Sequence, residues 1–252
     1  MFRDGNRIRR NKLKIMVSIT TPEEALNIID CGVDIIDIKN PSEGALGANL
    51  PWITRNIINE VRKFSEVSVT LGDMPYLPGT ASLSALGAAL LGVDYIKVGL
   101  LGPKNIKEAL NISSSITRTF QEFKVNAKLI IAGYADYKNQ RCISPLILPK
   151  IAIQSGAWGL LIDVKEKNNN GLFNYLSFEE LKKFVDESHS LGLNVALAGS
   201  LGLNDVQTII KIGSDIMGVR RGVSISQHGT YIIDRHKVEE MVSSAYLKRP
   251  SV

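Results

Sequence analysis

Cys31-Gly32-Val33-Asp34-Ile35-Ile36-Asp37-Ile38-Lys39-Asn40 is a glycine entry into a short apolar run that carries charge at alternating positions. The same entry recurs at Gly92-Val93-Asp94-Tyr95-Ile96-Lys97-Val98-Gly99, at Gly156-Ala157-Trp158-Gly159-Leu160-Leu161-Ile162-Asp163 and at Gly213-Ser214-Asp215-Ile216-Met217-Gly218-Val219-Arg220. Side chains alternate across a strand, so counting from each glycine separates two faces. The fourth and sixth residues are Ile36 and Ile38, Ile96 and Val98, Leu160 and Ile162, Met217 and Val219, all apolar. The fifth and seventh are Asp37 and Lys39, Lys97 and Gly99, Leu161 and Asp163, Gly218 and Arg220. One face suits packing beneath helices. The other reads as the inside of a site.

The four entries lie 60, 64 and 57 residues apart, room for two strand–helix units each, so they mark the even strands. Odd strands are expected at Lys14–Ile19, Val67–Leu71, Lys128–Gly133 and Asn194–Ser200, with helices between. Helix starts are marked by Thr21-Pro22-Glu23-Glu24 and by the capping-box spacing Ser177-Phe178-Glu179-Glu180. Eight such units in 252 residues predict an α/β fold, a single-domain (β/α)8 TIM barrel over residues 14–252. A doubly wound open sheet is the alternative, but helices would cover its charged face.

The net charge of +5 is concentrated at the start. Arg3, Arg7, Arg9, Arg10 and Lys12 stand against Asp4 alone, so residues 1–13 read as a flexible basic tail before a nearly neutral domain. This argues against nucleic acid as the partner. No apolar run is long enough to span a bilayer, and the opening residues are too polar for a secretory signal, so a cytoplasmic protein is expected. Two cysteines, Cys31 and Cys142, suggest neither a disulfide framework nor a metal site. No cofactor is expected, and no Gly-x-Gly-x-x-Gly follows a strand.

Barrel sites lie at the C-terminal strand ends, where Lys39, Lys97, Asp163 and Arg220 fall, with Asp37 one layer deeper. Structural ion pairs could fill that space, but buried pairs seldom improve on apolar packing. Two inward lysines point instead to amine chemistry on a carbonyl substrate. Lowering a lysine pKa from about 10.4 to about 7.5 costs roughly 4 kcal/mol. A second ammonium about 5 Å away supplies roughly 3 kcal/mol of that at an effective dielectric near 20. Asp37 and Asp163 act in the opposite sense, so which lysine is neutral stays open.

The loops after strands seven and eight carry Ala198-Gly199-Ser200 and Gly218-Val219-Arg220-Arg221-Gly222. Barrels often bind phosphate there through backbone N–H groups, which makes a phosphate ester the expected ligand. Lys165 and Lys167 follow Asp163 and could close over a second phosphate or simply be solvated. The loop Asn40–Asn49 holds little to pack and suits a lid. His228 is a minor candidate, and His189, Trp52 and Trp158 read as structural.

Asp37 to Asn49, Gly72-Asp73-Met74-Pro75-Tyr76, Tyr95 to Leu100, Ala132-Gly133-Tyr134-Ala135-Asp136 and Ala196 to Leu201 together resemble the (5-formylfuran-3-yl)methyl phosphate synthase family of methanofuran biosynthesis. The resemblance implies condensation of two glyceraldehyde 3-phosphate molecules with loss of phosphate and water. It places the Schiff-base lysine on Lys39 and the second, proton-accepting lysine on Lys97. The supporting aspartates fall on Asp37 and Asp163, and a further lysine on Lys167. A homo-oligomer is expected. Two features depart from the family pattern: the basic tail, and Arg221-Gly222-Val223-Ser224-Ile225-Ser226-Gln227-His228-Gly229 where a Cys and a Gly-Gly-Asp-Arg-like loop would follow Arg220. The competing functions are a class I aldolase or decarboxylase of the phosphate-binding barrels, and a non-catalytic phosphosugar-binding regulator acting through the tail.

Overall fold

Eight parallel strands close on themselves in chain order in the computed structural model, which describes residues 12–166, 170–227 and 230–247. They are β1 (Lys14–Ile19), β2 (Ile35–Ile38), β3 (Glu66–Asp73), β4 (Tyr95–Gly99), β5 (Lys128–Tyr134), β6 (Gly159–Asp163), β7 (Asn194–Leu197) and β8 (Ile216–Val219). β8 closes the barrel on β1, with Val17 opposite Val219 and Met16 opposite Gly218. The basic-tail reading falls almost wholly outside the described residues. At its end, Leu13 is buried in the core and the Lys12 ammonium lies over the Tyr246 ring.

The recurring glycines owe their place to backbone geometry. Gly32, Gly92, Gly156 and Gly213 have φ of +74°, +77°, +74° and +91°, the left-handed region that ends a helix or turn most cheaply without a side chain. In three of the four entries the aspartate two residues on clamps the adjoining strands at the barrel floor. Asp34 accepts from the Ile15 amide at 2.9 Å, Asp94 from Val67 at 2.8 Å and Asp215 from Val195 at 2.8 Å. Their backbone carbonyls take the amides of Glu66, Lys128 and Lys14 on the other side. The sixth strand has Trp158 instead, whose ring packs on Tyr95 with centroids 5.0 Å apart. Trp158 is thus a packing residue as expected.

The apolar register faces outward into the main core. Ile36, Ile38, Ile96, Val98, Leu160, Ile162, Met217 and Val219 all join it, beneath α1 (Pro22–Ile28), α2 (Pro51–Val61), α3 (Pro78–Ala89) and α4 (Ile106–Glu122). The shell continues through α5 (Tyr137–Gln140), α6 (Leu148–Ser155), α7 (Leu172–Tyr175), α8 (Phe178–Ser190), α9 (Val206–Ile212) and α10 (Arg235–Leu247). A second, smaller cluster fills the barrel interior with Met16, Ile35, Tyr95, Ile130, Leu161 and Ile216. The capping box is present: Ser177 accepts from the Glu180 amide at 3.2 Å and Glu180 from the Ser177 amide at 2.8 Å. Ser177→Ala should lower stability by about 1 kcal/mol in urea unfolding.

Three expectations need correction. The Asn40–Asn49 loop does contribute to packing, because Leu46 is fully buried and plugs the barrel mouth within the interior cluster. Trp52 is 64% exposed on the first turn of α2, so it is not a packing residue. The stretch after Arg220 forms an antiparallel hairpin of β9 (Ser224–Gln227) and β10 (Thr230–Ile233) rather than a loop. Alternation in Ser224-Ile225-Ser226-Gln227 and Thr230-Tyr231-Ile232-Ile233 is the signal that would have found it. Among the described residues no helix is long and apolar enough to cross a membrane.

Candidate active site

Met16, Ser18, Asp37, Lys39, Lys97, Asp163, Gly199, Ser200, Arg220 and Arg221 line one pocket at the C-terminal ends of the strands. Residues from β2, β4, β6 and the end of β8 thus converge as their shared register requires. The space between them is about 20 Å³, room for roughly one water, so a sugar phosphate needs its rim to move.

Asp37 and Lys97 form the floor, both buried, with the Lys97 ammonium 2.7 Å from Asp37 Oδ1. The contact is a fully buried ion pair at hydrogen-bonding distance. The other Asp37 oxygen accepts from the Ser18 hydroxyl at 2.8 Å. Burial alone would raise the Asp37 pKa, but Lys97, Lys39 and the Ser18 hydrogen bond hold it below the ordinary carboxylate value. The Met16 sulfur, 3.9 Å away, completes the Lys97 surroundings as a weak acceptor.

Lys39 lies one layer higher, just beyond β2, and is 5% exposed. Its ammonium donates to the Ala45 carbonyl at 3.3 Å, so the β2–α2 loop folds back over it. Asp163 ends β6 beside Tyr134 and accepts from the Val164 amide at 2.7 Å.

Sequence reasoning missed three residues that organise this mouth. Asp73 ends β3 and takes hydrogen bonds from the loop amides of Ala45 and Leu46. Asp136 is buried at the end of the β5 segment and accepts from the Lys165 and Glu166 amides at 2.9 and 3.0 Å, fixing the start of the β6–α7 loop. Glu24, in the first turn of α1, holds Arg220 through two parallel contacts of 3.0 Å. Arg220 also donates to the Ser18 carbonyl at 2.9 Å, which ties its guanidinium to the C-terminal end of β1. The pair is largely buried, so Glu24→Gln should cost about 1–3 kcal/mol in thermal or urea unfolding.

Lys165 does not stand over the pocket as a free cation: it pairs with Asp73 at 3.1 Å. Arg221 packs over the Tyr231 ring with its guanidinium carbon 4.9 Å from the centroid, so the β9–β10 hairpin supports one side of the pocket. Gly199 and Ser200 have φ of +113° and +56°, and a side chain on Gly222 would collide with the Leu201 carbonyl. The two glycine-bearing loops therefore pack directly against each other. His189 is structural, at 2.8 Å from Asp215. Lys167 and His228 lie outside the described residues. Among the described residues no cluster of His, Cys, Asp and Glu has the makings of a metal site.

The 4-HFC-P synthase family model matches residues 15–242. The chain is 44% identical over 209 residues to a (5-formylfuran-3-yl)methyl phosphate synthase of Archaeoglobus fulgidus, covering 82% of this chain and 89% of that protein. It is 42% identical over 231 residues to the protein of that name from Methanosarcina barkeri, covering 92% and 98%. Among solved structures it resembles 3-hexulose-6-phosphate synthase from Salmonella typhimurium (TM-score 0.64, 15% identity, covering 93% and 99%). It also resembles phosphoribosyl anthranilate isomerase from Thermus thermophilus (TM-score 0.61, 15% identity, covering 94% and 100%). At those identities the two structures speak for the barrel fold alone.

Proposed function

We propose that this chain, which belongs to the 4-HFC-P synthase family, condenses two molecules of glyceraldehyde 3-phosphate to (5-formylfuran-3-yl)methyl phosphate through an imine on Lys39. The observation that carries the reading is the buried Asp37–Lys97 pair at the floor of a pocket whose next layer is Lys39. An aldehyde entering from the mouth meets the Lys39 amine first. Loss of water gives the imine, whose positive charge acidifies the adjacent carbon. Lys97, having passed its ammonium proton to Asp37 one layer below, accepts the proton from that carbon, and the resulting enamine attacks the carbonyl of the second triose.

The atoms then balance by departure of one inorganic phosphate and two waters in all, with hydrolysis returning the Lys39 amine and aromatisation driving the eliminations. Asp163 is the second carboxylate available to move protons in these steps. The amides of Gly199, Ser200 and Gly222, with Arg221 and Lys167, are the groups we assign to the phosphates. Arg220 serves the same end by fixing that loop.

Incubation with glyceraldehyde 3-phosphate should produce a furan-aldehyde ultraviolet band, the product mass, and one phosphate for every two trioses consumed. A non-aromatic sugar phosphate would favour the aldolase reading instead. Binding without any turnover would favour the regulator.

A further inference from the structure

Asp73 is a carboxylate with four donors and no part in the chemistry proposed above. Its Oδ2 accepts from the Ala45 amide at 2.9 Å and pairs with the Lys165 ammonium at 3.1 Å. Its Oδ1 accepts from the Leu46 amide at 3.2 Å and from the Tyr134 hydroxyl. Burial and the Asp73 charge push the Tyr134 phenol well above its ordinary pKa, so it remains a donor at any ordinary pH.

Two glycines leave the space this arrangement needs. A side chain on Gly99 would collide with the Tyr134 hydroxyl, and one on Gly44, where φ is +135°, would collide with the Asp73 carboxylate. The rest of the loop is closed by Asn40 N–H to the Gly47 carbonyl at 2.8 Å and Thr70 hydroxyl to the same carbonyl at 2.6 Å. Asp73 holds the N–H groups of both Ala45 and Leu46, and the Ala45–Leu46 peptide bears the carbonyl against which Lys39 rests.

We infer that Asp73 is a positioning residue for Lys39, setting through the Ala45–Leu46 segment the carbonyl acceptor that aims the Lys39 nitrogen into the pocket. The functional meaning rests on Lys39 being the imine-forming amine. An ionised carboxylate suits four donors, two to each oxygen; an asparagine would turn an NH2 toward two of them. With the segment released, Lys39 is less covered and worse aimed, so its chemical accessibility and its productivity should move in opposite directions.

The test acylates the full-length protein with an N-hydroxysuccinimide ester and maps Lys39 against exposed Lys150 by mass spectrometry. In folded Asp73→Asn and Gly44→Ala, Lys39 labelling should rise several-fold over the reference, while kcat falls about ten- to a hundred-fold with KM changed much less. Parent-like labelling and kcat in both folded variants would overturn the inference. A purely structural role would lower stability without altering the Lys39 to Lys150 ratio. In the parent, the Ala45 and Leu46 amides should be protected from hydrogen exchange; rapid exchange there overturns the inference even if neither variant folds. Failure of borohydride to trap a triose on Lys39 in the parent would remove the imine reading, while the labelling ratio would still decide whether Asp73 holds Lys39.

Discussion

Lys39→Arg should abolish furan formation, whereas Lys97→Arg should slow turnover by about a hundred- to ten-thousand-fold. The two substitutions keep the same charge but remove different chemistry. A guanidinium at position 39 cannot condense with an aldehyde to a reducible imine, so borohydride trapping there should vanish with the product. At position 97 the guanidinium still balances Asp37, yet it holds its proton too tightly to exchange it with carbon. Trapping on Lys39 should therefore survive in Lys97→Arg. Turnover and trapping assays on both variants check the division of labour. If Lys39→Arg keeps trapping and Lys97→Arg loses it, the roles are reversed.

Removing one member of the buried pair should have the largest effect on stability. Asp37→Ala leaves Lys97 without its 2.7 Å counter-ion in a site with almost no solvent, and should cost about 3–5 kcal/mol in denaturant unfolding. The pH dependence has a definite sign. The Asp37 pKa is lower in the folded protein than in the unfolded chain, so its contribution is complete above the unfolded value of about 3.9. It is lost as pH falls through the folded value. The share of the gap between parent and variant that comes from the Asp37 charge should disappear as pH falls below about 4. A gap that failed to narrow under acid conditions would contradict the assignment of Asp37 as the ionised partner.

The barrel was legible because a strand's period of two records which face each residue serves. Asp37, Lys39, Lys97 and Asp163 betrayed themselves by interrupting apolar strands, and the fold brings them together with Arg220 in one pocket. Contacts distant in sequence left no such pattern. Asp73 meets Ala45 across 28 positions and Tyr134 across 61, and no local rule links a strand-end aspartate to either. Glu24 reads in sequence as part of an ordinary helix start. It also holds Arg220, which is 196 residues away in sequence and adjacent in space because β8 closes on β1. The aspartates of the recurring glycine entry were visible, but their role as strand clamps emerges only when the neighbouring amides are in place. One leucine among glycines and alanines makes no pattern, yet Leu46 is enough to plug the barrel mouth.

The central claim is that the carbon skeleton is built on the amine of Lys39. Borohydride added to the parent enzyme during turnover of glyceraldehyde 3-phosphate, followed by digestion and mass mapping, tests it directly. The expected result is a reduced triose phosphate adduct on the peptide containing Lys39, formed only when substrate and reductant are both present. An adduct on Lys97, or full furan formation with no adduct on either lysine, would contradict it.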